Sequence, residues 1–298
     1  MQRMLETRDF FPVDSLRGEG RFERLSGLPA RAPNCLVFAA TAHYLSVALA
    51  DPHVTVVITS SEVIAQLAEQ PEKPFVVTSD PRATFWELHN NLVEQRLLGV
   101  CVEHHVGENC VIHPSAVIGH PVRIGESVRI GPNAVVAEHS VLEAGVEIGP
   151  GAVVGATGMQ IYSRGGKRLF VRHAGGVKLA SGVHVLANAI VARAVDASYT
   201  LVGRDTFVSL LSSVGHNSIL GERCSVAGNV LIGGSVVMGD DVWVGPSVTI
   251  RDGVRVGARA RVLLGSVVIR DVPEGAEVSG NFAMDHTRNM LNFVKARR

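Results

Sequence analysis

From Ile112 onward the hydrophobic positions return every six residues. An aliphatic side chain stands at Ile112, Ile118, Ile124, Ile130, Val136, Leu142, Ile148 and Val154, often with Gly next and a small or branched residue at the fifth place of each unit. The pattern resumes at Leu179, Val185 and Val191, then runs without a break through twelve units from Val202 to Val268, giving 23 hexads in all. An amphipathic helix repeats every 3.6 residues, so a period of six excludes it. A short strand and a turn per hexad fits instead. Three hexads close one triangular coil, and successive coils stack at about 4.8 Å with the aliphatic residue pointing inward. The count predicts between about seven and eight such coils.

Two interruptions break the phase. The segment 155–176, GATGMQIYSRGGKRLFVRHAGG, is too polar and glycine-rich to continue the coil. It is expected to loop out of the prism and cover a groove. The stretch 192–201 is shorter and reads as a bulged corner.

The first hundred residues follow another pattern. Apolar runs at Cys35–Ala39, Val54–Ile58 and Phe75–Thr78 predict strands, and Tyr44–Ala50, Ser61–Gln70 and Ala83–Leu98 have helical spacing. Three regions follow: a small α/β domain over 1–105, a β-helix over 106–275 carrying the ejected loop 155–176, and a C-terminal helix over 276–298. Pro273, Gly275 and Gly280 mark the end of the repeat, and Phe282–Arg298 has amphipathic spacing. The fold class is therefore mainly β.

Composition agrees: 46% hydrophobic residues with only 5% aromatic, and 31 glycines, suit a repetitive β core of Val, Ile and Ala. With 28 basic and 28 acidic residues the net charge is zero, so no field for nucleic acid is expected. There is no apolar run of membrane-spanning length and no signal-peptide pattern near the start, which predicts a cytoplasmic protein. Cys35, Cys101, Cys110 and Cys224 have no paired spacing, so neither a disulfide framework nor a zinc ribbon is expected. Cys224 is expected to be buried rather than nucleophilic.

Within the repeat, Ser212–Gly221 reads SSVGHNSILG and places an ionisable ring in an aliphatic run. His216 is third in its hexad counted from Val214, on a turn, so it projects outward where it can accept a proton as a general base. One coil is eighteen residues, so its counterpart in the next coil is Gly234. A backbone N–H there would lie about one strand spacing from the imidazole and could donate to a developing oxyanion.

These residues resemble the UDP-3-O-(3-hydroxyacyl)glucosamine N-acyltransferases of lipid A biosynthesis. That family belongs to the left-handed β-helix hexapeptide acyltransferases, which work as homotrimers. The resemblance is carried by Val214-Gly215-His216-Asn217, Ala227-Gly228 and Gly234-Ser235, and by Gly155, Gly158, Tyr162 and His173-Ala174-Gly175-Gly176-Val177 in the loop. It implies that His216 activates a sugar amine and that Gly234 supplies the oxyanion donor. It also implies that Asn217, His173 and Arg193 bind substrate, Arg193 lying where the family has an Arg in its bulged corner. Phe38-Ala39-Ala40-Thr41-Ala42-His43-Tyr44 resembles the family's uracil element, with Phe38 and Tyr44 kept and Thr41 in place of Asn. A left-handed parallel β-helix follows from the same resemblance.

The departures bear on substrate. The family's Asp-Asn pair before the base is Ser209-Leu210, the Asp before the corner Arg is Ala192, the Asp-Gly-Phe-Gly of the loop is Thr157-Gly158-Met159-Gln160, and the C-terminal extension is shorter. The resemblance implies acyl transfer to the amine of a UDP-linked amino sugar from an acyl carrier protein or coenzyme A thioester. No tightly bound cofactor or metal is implied. The alternatives are a coenzyme A-dependent nucleotide-sugar N- or O-acetyltransferase for surface polysaccharide and a non-catalytic hexapeptide scaffold. A zinc hydratase on the same prism needs three converging histidines, and His104, His105, His113, His120, His139, His173 and His184 form no such ligand pattern. Lys167, Arg168 and Arg172 offer charge for phosphates.

Overall fold

The computed structural model describes residues 4–30, 32–67, 72–280 and 287–288. The chain divides into two compact units. The first comprises 1–101, 157–176 and 193–199, and the second comprises 102–156, 177–192 and 200–298.

The first unit is an α/β sheet. Strands Arg24–Leu25, Cys35–Phe38, Val54–Thr59 and Phe75–Val77 are parallel neighbours, with Leu16–Arg17 added antiparallel at the edge. From Cys35 onward strand and helix alternate, as a parallel sheet needs crossover connections. The helices are α1 (Ala42–Ala50), α2 (Ser61–Ile64) and α3 (Pro81–Glu94). Each starts where a short polar side chain accepts an N–H of the first turn: Thr41 from Tyr44, Ser60 from Val63 and Asp80 from Ala83. The helix expected to reach Gln70 stops at Ile64, and Gln70 itself lies outside the described residues. Side chains alternate across the strands. Leu36, Val56, Ile58 and Val76 pack with Phe85, Leu88 and Leu92 of α3, while Cys35, Val37 and Val57 pack with Leu45 and Ala48 of α1.

The segment 155–176 leaves the coil, and its residues 157–176 cluster with this unit. It forms a hairpin, Ile161–Arg164 against Lys167–Phe170. The hairpin and its return are held by α3 and its cap. Tyr162 Oη donates to both Asp80 oxygens at 3.0 and 3.1 Å, Arg164 pairs with Asp80 at 2.9 Å, and Asn90 Nδ2 donates to the Phe170 carbonyl at 2.8 Å. The Arg172 N–H donates to Asn90 Oδ1, and His89 Nε2 meets the Arg172 carbonyl at 2.8 Å. Of the stretch 192–201, expected to be a bulged corner, residues 193–199 likewise belong to the first unit. Local glycine content marks both excursions, but the partners of the hairpin stand some eighty positions earlier in the chain.

The second unit is the left-handed parallel β-helix. Two-residue strands stack in parallel register into three faces, each rung eighteen residues after the last except where the excursions intervene. The first face runs from His105–Val106 to Arg255–Val256, the second from Val111–Ile112 to Glu277–Val278, and the third from Val117–Ile118 to Val267–Val268. The repeat thus extends one hexad earlier than the first aliphatic position and past Pro273. Val272 bridges Val256, and Val278 pairs with Val262 after a corner two residues shorter. A helix beginning at 276 is excluded by the strand Glu277–Val278. The amphipathic stretch Phe282–Arg298 lies outside the described residues apart from Thr287–Arg288. The inward aliphatic residues form one continuous buried core.

At Gly215 and Gly233 the glycine after the aliphatic position does not carry the positive φ of its corner. Positive φ falls two places later, on Asn217 (58°) and Ser235 (58°) for example. At Gly215 a Cβ would lie 2.5 Å from the Gly233 carbonyl carbon of the next coil. The site is closed by backbone stacked above it, so space rather than φ selects glycine there.

Candidate active site

His216 sits on the corner between the third and first faces, directly after the strand Ser213–Val214 and before Ile219–Leu220. It is half-buried. The turn beneath it is fixed by hydrogen bonds between coils: Asn217 N–H donates to the buried Thr200 hydroxyl at 2.9 Å, and Ser235 N–H donates to the His216 carbonyl at 2.7 Å. Ser218, fully buried, accepts from Val236 N–H at 3.3 Å and donates to the Gly233 carbonyl at 2.9 Å, so its hydroxyl ties the two coils behind the ring. Unsatisfied buried polar groups cost about 1–3 kcal/mol, which makes these bridges part of the site's rigidity.

The imidazole lies against the backbone of Gly234, the residue one coil on. A Cβ at 234 would stand 2.6 Å from both Cε1 and Nε2 of His216. His216 Nδ1 is 3.1 Å from Asn217 Oδ1. An amide oxygen only accepts, so with the amide in this orientation the proton sits on Nδ1 and Nε2 is the basic nitrogen. The sequence step of eighteen residues therefore places the expected pair in contact.

The Gly234 N–H is engaged: it donates to Asp252 Oδ1 at 3.0 Å. Asp252 is the residue a further coil on from Gly234, and the same step that found Gly234 would have found it. The eighteen-residue step from 216 to 234 extends to 252 in the sequence, but spacing does not show that the carboxylate turns back onto the Gly234 N–H.

The other expected substrate residues fall in the first unit. His173 and Arg193 are buried, at 7% and 8% exposure, and His173 Nδ1 meets the Arg193 carbonyl at 3.1 Å. Phe38 ends a sheet strand and its ring packs on Phe85 with centroids 5.1 Å apart. Thr41 spends its hydroxyl as the N-cap of α1, and Tyr44, exposed on the first turn of α1, sets its ring edge-on to His43. Arg82, which no motif marks in the sequence, joins them: its guanidinium carbon stands 5.8 Å from the Phe38 ring centre and 5.7 Å from that of Tyr162. Arg172, one of the loop cations considered for phosphates, is paired with Glu94 at 2.6 Å.

The thiols divide. Cys35 and Cys224 are buried and burial pushes both thiols up, while Cys101 is exposed. Among the described residues no three His, Cys, Asp or Glu side chains are grouped to hold a metal ion, and no helix is long and apolar enough to cross a membrane.

Comparison with known proteins adds the following. The family model described as "Bacterial transferase hexapeptide (six repeats)" matches residues 103–138 and 121–157. No curated protein matches the chain. Among solved structures, the UDP-N-acetylglucosamine acyltransferase of Campylobacter jejuni is 22% identical over 62% of this chain and 83% of its own, with a TM-score of 0.48. The UDP-N-acetylglucosamine acyltransferase of Arabidopsis is 22% identical over 58% of this chain and 70% of its own, at a TM-score of 0.41. The acetyltransferase domain of PglB from Neisseria gonorrhoeae is 17% identical over 84% of this chain and 97% of its own, at a TM-score of 0.28. The start of the coil is thus similar to the hexapeptide repeats of bacterial transferases.

Proposed function

We propose that the protein is an acyltransferase that moves an acyl group from a thioester to the amine of a UDP-linked amino sugar. The observation that carries this reading is His216, an imidazole held on a rigid corner against a glycine backbone, with its basic nitrogen beside that glycine. His216 Nε2 takes a proton from the acceptor amine as the nitrogen bonds to the thioester carbonyl carbon. The tetrahedral oxyanion is met by the Gly234 N–H once Asp252 yields it. The carbon–sulfur bond then breaks, and the proton held on His216 passes to the departing sulfur. No acyl-enzyme is needed. Phe38, Tyr44 and Arg82 of the first unit, with Thr41 at the helix start, would take the uridine nucleotide, and Asn217 orients the base. His173 and Arg193 are the further substrate residues of this reading. The donor is an acyl carrier protein or coenzyme A thioester, and no metal enters the chemistry.

The working unit in this reading is a homotrimer. The outward positions of the third face, from Val117 to Val267, carry six aliphatic residues, two hydroxyls (Ser213 and Thr249) and no charge. Leu210 and Leu211, on the corner leading into that face, are exposed as well. The corner between the first and second faces is the opposite: Arg204 pairs with Glu222 at 2.8 Å, Arg223 with Asp241 at 2.8 Å, and Arg259 with Glu274. An uncharged aliphatic face along the whole coil is what a neighbouring copy would cover, and the charged corner is what would stay in water. His216 stands on the edge of the uncharged face, where a groove between copies would form.

The test is an acyl-transfer assay with UDP-amino sugars and both carrier-protein and coenzyme A thioesters. Turnover should be lost in His216→Ala while the oligomer is retained, a drop of about 10²–10⁴ for removal of a general base. Unchanged turnover would remove His216 from the mechanism, and absence of turnover in the unaltered protein would leave the scaffold reading.

A further inference from the structure

We propose that Asp252 makes the Gly234 N–H available only to an amine acceptor, because the acceptor itself must draw the carboxylate off that N–H. This deepens the function proposed above and rests on it.

Three successive coils place His216, Gly234 and Asp252 at one corner, and Asp252 Oδ1 holds the Gly234 N–H at 3.0 Å. While that bond lasts, a negative oxygen occupies the position an oxyanion would need, and like charges cannot share one donor. Asp252 is exposed, and among the described residues its carboxylate has no other hydrogen bond or ion pair. Its hold on Gly234 is therefore open to competition.

The competitor must reach both side chains. From His216 Nε2 to a Cβ position on Gly234 is 2.6 Å, and from Gly234 N to Asp252 Oδ1 is 3.0 Å. With standard covalent lengths, Nε2 and Oδ1 lie within about 8 Å of each other. A nitrogen hydrogen-bonded to two acceptors spans roughly 6 Å, which this gap accommodates with small side-chain movement.

Proton count then decides the acceptor. An amino sugar arrives as an ammonium ion and gives one proton to water, leaving two N–H groups. One proton goes to His216 as the C–N bond forms, and the other stays on nitrogen and holds the carboxylate away from Gly234. Nitrogen gains positive charge during the attack, which the carboxylate favours. A hydroxyl has a single proton, which His216 must take. Nothing remains to hold Asp252, so the oxyanion donor stays blocked.

The same cap occurs elsewhere with no imidazole beside it: Asp240 Oδ1 accepts the Glu222 N–H at 2.8 Å on the corner between the first and second faces. Capping by itself is thus a structural device of this coil, and Asp240→Asn provides the matched control.

The probes are UDP-glucosamine and UDP-glucose, which differ by amine against hydroxyl at one carbon. Each is titrated into the full-length protein without donor, following the Gly234 amide resonance in ¹⁵N-labelled material and the Kd. UDP-glucosamine should shift the Gly234 amide and bind more tightly, on the order of tenfold, as a charge-assisted hydrogen bond supplies. UDP-glucose should bind with that amide unmoved. Asp252→Asn, which keeps the capping oxygen and so the fold, and Asp252→Ala should both erase the preference, and Asp240→Asn should keep it. If both sugars bind and the Gly234 amide responds to neither, or if Asp252→Ala keeps the preference, Asp252 is only a cap. If neither sugar binds, the nucleotide-sugar acceptor itself is wrong, and this inference falls with it.

Discussion

A glycine can be required by what lies across from it. At Gly234 the contact is the far end of the His216 ring, 2.6 Å from where a Cβ would be, whereas at Gly215 it is backbone of the next coil. The two positions should therefore respond differently to Ala. Gly234→Ala displaces a side chain that can rotate, so the coil should fold with little loss in melting temperature while turnover falls by tenfold or more, on the order of one misplaced catalytic contact. Gly215→Ala has no flexible neighbour to move and should lower the melting temperature instead. A Gly234→Ala protein with full activity would show that the ring need not lie on that backbone. The repeat length made this pair legible in the sequence, because a fixed eighteen-residue rung converts spacing into contact. The engagement of the N–H by Asp252 follows from the same rung, yet hydrogen-bond direction at a corner is set by side-chain rotamers, which spacing does not report.

At the scale of elements, the strands Cys35–Phe38, Val54–Thr59 and Phe75–Val77, α1 and most of α3 follow from hydrophobic period and capping residues, and so do the rungs of the coil from Val111–Ile112 to Val267–Val268, whereas the two-residue edge strands Leu16–Arg17 and Arg24–Leu25 are too short to show a period. The hairpin's home was not legible: 155–176 announces by composition only that it leaves the coil. Its place is determined by Asp80, the cap of α3, which also receives Tyr162 and Arg164. Burial pushes the Asp80 carboxyl up, but the Ala83 N–H, the Tyr162 hydroxyl and the Arg164 guanidinium outweigh it and hold the group below its ordinary 3.8. A folded-state value below the unfolded one means stabilisation that is complete above pH 3.8 and lost as pH falls through the lowered value. Amide exchange in 161–170 should therefore accelerate below that pH relative to the coil, and Asp80→Asn should show the faster exchange already at neutral pH. Equal protection in the variant would assign the hold to Asn90 and His89 alone.

At the scale of the whole molecule, charge is zero in sum but unequal in place. The Arg204–Glu222 and Arg223–Asp241 pairs stack on one corner of the coil, and exposed pairs of this kind contribute only about 0–1 kcal/mol each. Their presence argues for a wet edge more than for stability. The third face has no such pairs, and Leu231, 52% exposed on the sixth of its eight rungs, is flanked along the face by Ser213 and Thr249. Placing a charge there costs little in an isolated chain, because the position faces water. It costs several kcal/mol if a neighbouring copy covers it, because a buried unpaired charge must be desolvated. Leu231→Glu should therefore leave the melting of the coil nearly unchanged at low concentration, yet convert a species of about three times 31.7 kDa into one of 31.7 kDa by light scattering. Turnover should fall with the oligomer, since His216 stands on the border of that face. A variant that stays trimeric would move the interface to another face, and a monomer that remains fully active would separate the chemistry of His216 from any contact between copies.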